Sequence, residues 1–233
     1  MRYRPLIFCV LILLCIRAFP CRMVYAAENG ERSVYSSHFN EENKIALTFD
    51  DGPHPVYTPQ ILDILRQYGI HATFFLIGEN AERYPELVLR ILREGHEIGN
   101  HTYGHANLQK TEPEQIREEI LSAENILLQI GDMRPKLLRP PGGLYDGRVC
   151  EAARALDYDI ILWTVDTLDW AHPSVETIEE TVKSRVQCGD IILCHDFVGG
   201  APSPTPEALR RILPDLFSRD FEFVTVSELI HSK

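Results

Sequence analysis

From Lys44 onward two hydrophobic periods alternate along the chain, and that alternation confines it to a parallel α/β architecture. Short runs rich in branched and aromatic residues read as strands at 44–49, 72–77, 96–99, 136–138, 160–165, 191–194 and 222–226. Between them, 58–68, 81–94, 111–130, 148–156, 175–186 and 206–219 carry helical patterns. Ile61, Leu62, Ile64 and Leu65 form one apolar face, and Leu87, Val88, Ile91 and Leu92 another. Thr111 stands where it caps the long third helix, with Glu114 placed to complete a capping box. Seven strands separated by helices imply parallel pairing through helical crossovers. A closed or nearly closed barrel is expected rather than an open sheet. The chain has 233 residues, 45% of them hydrophobic, which suits one such domain.

The N-terminal end has a different character. Arg2 and Arg4 precede an almost purely apolar stretch at 6–16, and Val24-Tyr25-Ala26 resembles a small-residue cleavage site. Residues 1–27 therefore read as a signal peptide or N-terminal anchor, and the protein as exported to the cell wall, periplasm or medium. Residues 28–42 are a polar lead-in, and 43–233 the catalytic domain. Formal charge is −11, and removing residues 1–27, with four arginines and no acid, takes it to −15. Nucleic acid is excluded as a partner on electrostatic grounds, a neutral polymer fits better, and no lasting protein partner is evident. Three of the six cysteines lie in the leader; Cys150, Cys188 and Cys194 remain, too few for a disulfide scaffold.

The unusual polar residues gather at strand C-termini, the face where parallel α/β folds assemble their sites. Asp50 and Asp51 end the first strand, and their side chains point different ways, so one can bind a metal while the other takes a proton. Asp-Asp-Gly-Pro is also ordinary turn chemistry. His101 and His105, four residues apart, would face the same way on a helical turn. Two histidines and one aspartate suit zinc, with positions left for water and substrate. Arg139 follows the fourth strand in Arg139-Pro140-Pro141-Gly142-Gly143, where prolines stiffen and glycines let a ligand approach. Asp166, Asp169 and Trp170 follow the fifth strand; Trp170 is either a platform for sugar or a core residue, and Trp163 reads as core. Leu193 and His195 share one face of the sixth strand and Cys194 the other. His195 is a candidate general acid or base.

Together these strings resemble the polysaccharide deacetylases, carbohydrate esterase family four, from about Ile45 to Leu229. Thr48-Phe49-Asp50-Asp51-Gly52 looks like the family's first motif, and His101-Thr102-Tyr103-Gly104-His105 its second. Arg139-Pro140-Pro141-Gly142, Asp169-Trp170 and Leu193-Cys194-His195 look like the other three. The resemblance implies a distorted (β/α) barrel of about seven parallel strands and removal of acetyl groups from an N-acetylated polysaccharide. It implies Asp51, His101 and His105 as ligands to Zn2+ or another divalent ion such as Co2+. Asp50 would be the base, oriented by Arg139, and His195 the acid, made cationic by Asp169. Leu193 would line the acetyl pocket, and the Gly142 N–H would hold the oxyanion. The family usually has an aromatic residue where this chain has Gly142; glycine keeps the N–H and loses a ring that contacts sugar. Peptidoglycan is the expected substrate, ahead of chitin-type oligomers and O-acetyl xylan, with a non-catalytic carbohydrate-binding protein as the alternative class. A metalloprotease is disfavoured, because no Glu lies between the two histidines.

Overall fold

The computed structural model describes residues 34–40, 42–197, 199 and 202–232, so the expected leader at 1–27 lies outside them. Nine strands form one sheet: β1 (Val34–Tyr35), β2 (Lys44–Asp50), β3 (Thr73–Leu76), β4 (Glu97–Asn100), β5 (Leu137–Leu138), β6 (Asp159–Ile161), β7 (Val165–Asp166), β8 (Ile191–His195) and β9 (Glu222–Val224). Their order is β1-β6-β5-β4-β3-β2-β8-β7, with β9 also on β2. Every ladder among the described residues is parallel; a lone Ser37–Asp190 bridge is antiparallel. The helices are α1 (Tyr57–Tyr68), α2 (Gly78–Arg83), α3 (Pro85–Arg93), α4 (Pro113–Gly131), α5 (Gly147–Ala155), α6 (Val175–Arg185), α7 (Thr205–Ser218) and α8 (Val226–Ile230).

The sheet curls into the expected distorted barrel. The run read as one strand at 160–165 is instead β6 and β7, joined through Leu162–Thr164, and its halves pair with opposite ends of the sheet. β6 pairs with β5, while β7 pairs with β8. One short bent segment thus draws the two ends of the ladder toward each other.

Alternation along β2 sets the two sides of the wall. Ile45, Leu47 and Phe49 join the cluster that packs under α1, α3 and α7. Ala46, Thr48 and Asp50 point the other way, into the barrel. β8 repeats the pattern: Ile192 and Cys194 belong to the outer cluster, and Ile191, Leu193 and His195 face inward. The lower barrel is apolar, with Ala46, Phe75, Leu137, Ile161 and Ile191. α8 covers it: Val226 N donates to Thr73 Oγ1 and Ser227 N to Glu97 Oε2, on the first residues of β3 and β4. The polar upper barrel is left for chemistry.

Several local readings are corrected. The helix expected at 81–94 is α2 and α3, broken where Pro85 lacks the N–H to continue a helix. Thr111 does not cap α4; that helix starts at Pro113 behind Glu112, and Thr111 Oγ1 donates to Asn107 O. The lead-in at 28–42 is not wholly irregular, since β1 pairs with β6. Cys150, Cys188 and Cys194 are all free thiols.

Candidate active site

β2 delivers Asp50 to the barrel mouth, where it is a direct register partner of His195 on the neighbouring β8. Asp50 is almost fully buried, and so is the Arg139 guanidinium that meets it: Arg139 Nη1 donates to Asp50 Oδ1 at 2.7 Å. The same nitrogen donates to Thr48 Oγ1 at 2.8 Å, Nε to Ile161 O at 3.2 Å and Nη2 to Leu162 O at 3.1 Å. The guanidinium lies 4.0 Å over the Phe75 ring and 5.6 Å from that of Trp163. Burial pulls the Arg139 pKa down while Asp50 pulls it up. Trp163 is half-buried against the core beside it, as expected.

Asp51 follows in the left-handed region at φ 75, turned out of the strand alternation. Its Oδ1 lies 3.3 Å from His101 Nε2 and 3.2 Å from His105 Nε2. Asp50 Oδ2 is farther from His101 Nε2, at 3.8 Å. His101 Nδ1 meets Arg139 O at 2.7 Å; a carbonyl only accepts, so Nδ1 carries the proton and Nε2 of the neutral ring is left bare. The rings are 5.1 Å apart. Asp51 Oδ1 is buried with no hydrogen-bond partner. The bare Nε2 of His101, the His105 ring and an orphaned carboxylate oxygen thus converge on one point, the three ligand atoms lying within 4.8 Å of one another. That donor set fits a divalent transition metal with positions left open. Burial disfavours the Asp51 anion, but His101 and His105 outweigh it and hold its pKa well below the usual carboxylate range. The Asp51 carboxylate in turn raises that of His105.

The expected helical turn between the histidines is absent. His101 follows β4 directly, and Thr102 and His105 adopt positive φ in an irregular loop. A loop with left-handed backbone at Thr102 and His105 here brings both rings to one point without a helix.

Beside Asp50 on β8, His195 Nδ1 meets Asp169 Oδ1 at 2.7 Å, and His195 N donates to Asp169 Oδ2 at 2.8 Å. Burial works against charge on this ring. The Asp169 hydrogen bond and charge, with the charges of Asp50 and Asp51, overcome it and push the pKa up to about 9. Leu193, buried, lies on the same inward face of β8. Trp170 is 52% exposed, which removes the core reading. Asp166 is turned away to accept from Leu168 N. Gly142 and Gly143 sit at φ 63 and 68, a region side chains avoid.

The family model described as polysaccharide deacetylase matches residues 39–161. The chain belongs to the polysaccharide deacetylase family. A peptidoglycan-N-acetylglucosamine deacetylase of Bacillus cereus is 45% identical over 196 residues, covering 83% of this chain and 91% of that one. A solved peptidoglycan N-acetylglucosamine deacetylase, in complex with a naphthyl N-oxidanyl-benzamide, superposes with a TM-score of 0.83 at 39% identity, covering 87% and 94%. A family 4 acetyl xylan esterase from Clostridium thermocellum, solved with cobalt, gives 0.73 at 35% identity over 80% and 89%.

This deacetylase-family site includes residues that sequence reasoning passed over. Thr48 shares Arg139 with Asp50, and alternation in Thr48-Phe49-Asp50 was the available signal. Thr205 Oγ1 donates to Asp169 Oδ2 at 2.6 Å from the start of α7, with no signal in its surroundings. Asp196 is fully buried, accepts from Thr58 Oγ1, and sits so close over Gly52 that a Cβ there would clash with its carboxylate.

Proposed function

We propose that this protein removes N-acetyl groups from amino-sugar residues of a cell-wall polysaccharide, peptidoglycan above all, and releases acetate. The observation that carries the reading is two opposed proton carriers around one ligand cluster. Asp50, held by Arg139, and His195, held by Asp169, are register partners beside Asp51, His101 and His105. A binding module has no use for such a pair, which disfavours the non-catalytic alternative. The peptidoglycan deacetylases among its relatives favour that substrate over chitin-type oligomers and acetyl xylan.

Asp51, His101 and His105 would hold the metal, zinc or a similar divalent ion. When bound, such an ion supplies Lewis acidity toward the acetyl carbonyl and the attacking water. Asp50 accepts the proton released as water attacks, in the orientation Arg139 fixes. The Gly142 N–H donates to the carbonyl oxygen as charge grows there. His195, protonated at neutral pH, passes its Nε2 proton to the departing amine, while Asp169 keeps Nδ1 engaged. Leu193 bounds the space for the acetyl methyl, and exposed Trp170 offers a ring to the sugar. The N-terminal segment is read as the export leader or anchor that brings the enzyme to its polymer.

The test is acetate measured from purified protein incubated with peptidoglycan and with chitooligosaccharides. Release from peptidoglycan is expected, lost with a chelator and restored by zinc. No acetate from either polymer with zinc present would sink the reading. The pH profile gives a second check. With the His195 pKa at about 9, kcat is expected to fall on the alkaline side near that pH, where the acid loses its proton. In Asp169→Asn, burial is left as the dominant influence, and the limb is expected to move acidward, to about 6.5 or below. An alkaline limb unmoved by Asp169→Asn would separate His195 from the acid role.

A further inference from the structure

The two imidazoles of the ligand cluster are seated very differently. His101 is buried at the end of β4 with its Nδ1 engaged by Arg139 O. The His105 side chain is 43% exposed, and its backbone has φ 56. Its described side-chain contacts are Asp51 and the His101 ring, both members of the same cluster, so its position depends on the three residues that precede it.

Those three residues are held from two sides, by side chains of Asn100 and Glu119 and by the first amides of α2. Thr102 N donates to Asn100 Oδ1 at 2.8 Å. Tyr103 N and Gly104 N both donate to one oxygen of Glu119, Oε2, at 3.1 and 2.8 Å. On the other side, Thr102 O and Tyr103 O accept from Gly78 N and Glu79 N at 2.9 and 3.0 Å. Glu119 is carried by α4, a 19-residue helix packed against α2, α3 and α5. Its carboxylate is thus fixed to the body of the protein, and charge-assisted bonds to two successive amides are the strong kind. They also offset the left-handed conformations of Thr102 and His105, which side chains other than glycine's avoid.

Resting on the metal reading above, we propose that Glu119 is a positioning residue for the metal centre: by clamping the Tyr103 and Gly104 amides it sets where His105 presents Nε2. Its carboxylate is engaged by these amides and is not part of the ligand cluster. Groups that orient a ligand in this indirect way are typically worth about 10- to 100-fold in metal affinity.

The experiment measures zinc affinity by chelator competition on the full chain, for the parent, Glu119→Ala, Glu119→Gln, His105→Ala and Glu119→Ala/His105→Ala. Glu118→Ala, an exposed neighbour on the same helix, is the control. Glu119→Ala is expected to weaken zinc about 10- to 100-fold, Glu119→Gln by less, and Glu118→Ala not at all. In the His105→Ala background the Glu119 substitution is expected to add little, because its route to the metal has been removed. Parent affinity in Glu119→Ala, or an equal loss with and without His105, overturns the proposal. If the alanine variant does not fold, Glu119→Gln decides, and unchanged affinity there overturns it. A parent that binds no zinc overturns the metal reading itself, a result distinguishable from a parent that binds while Glu119→Ala binds equally well.

Discussion

Asp50→Asn is expected to bind zinc as tightly as the parent while releasing acetate about a hundred- to ten-thousand-fold more slowly, the usual range for a lost general base. The amide keeps an oxygen for Arg139 Nη1, so the local hydrogen bond survives and only proton acceptance is lost. Zinc is expected to stay because Asp51, rather than Asp50, supplies the carboxylate nearer both imidazoles. Two measurements settle it, a zinc dissociation constant and an acetate rate on the same preparation. Loss of zinc would mean that the two aspartates have each other's roles. A parent-like rate would remove Asp50 from the chemistry.

The second large effect is on stability. Arg139 is wholly buried, and its charge is balanced by a carboxylate that is itself nearly inaccessible. Arg139→Met leaves Asp50 buried without its counter-charge and strips hydrogen bonds from Thr48 Oγ1, Ile161 O and Leu162 O. Breaking one side of such a pair costs about 3–5 kcal/mol. A fall of that size in unfolding free energy is expected from guanidinium titration. Adding Asp50→Asn to the same chain should recover part of it, since no unpaired charge then remains inside. A single variant as stable as the parent would show that the pair contributes nothing net to folding.

Much of this architecture could be read in the sequence, because burial on both faces leaves continuous apolar runs and the crossovers leave helical periodicity. Asp50, Asp51, His101, Arg139, Asp169 and His195 were legible for a related reason: each breaks an apolar pattern at the end where parallel strands open. What could not be read is long-range or too short to have a period. Val34–Tyr35 is a two-residue strand whose partner lies more than a hundred residues away. The bend between β6 and β7, Leu162-Trp163-Thr164, holds no glycine or proline and looks like one strand until its two pairings are known. Asn100 and Glu119 escaped notice because an amide at a strand end and an acid on a helix are unremarkable; only the folded loop shows which backbone groups they serve.

β2 lies inside the sheet, between β3 and β8, and this bears on the order in which the protein can assemble. Its neighbours are β3, close in sequence, and β8 and β9, which arrive roughly 140 to 180 residues later. The strand that carries Asp50 and leads into Asp51 therefore stays half-bare while most of the polypeptide is made. Distant pairings of this sort are slow to close and leave sticky, unsatisfied edges in the interim. The wall on which Asp50 stands is thus completed late, when β8 brings His195 beside it.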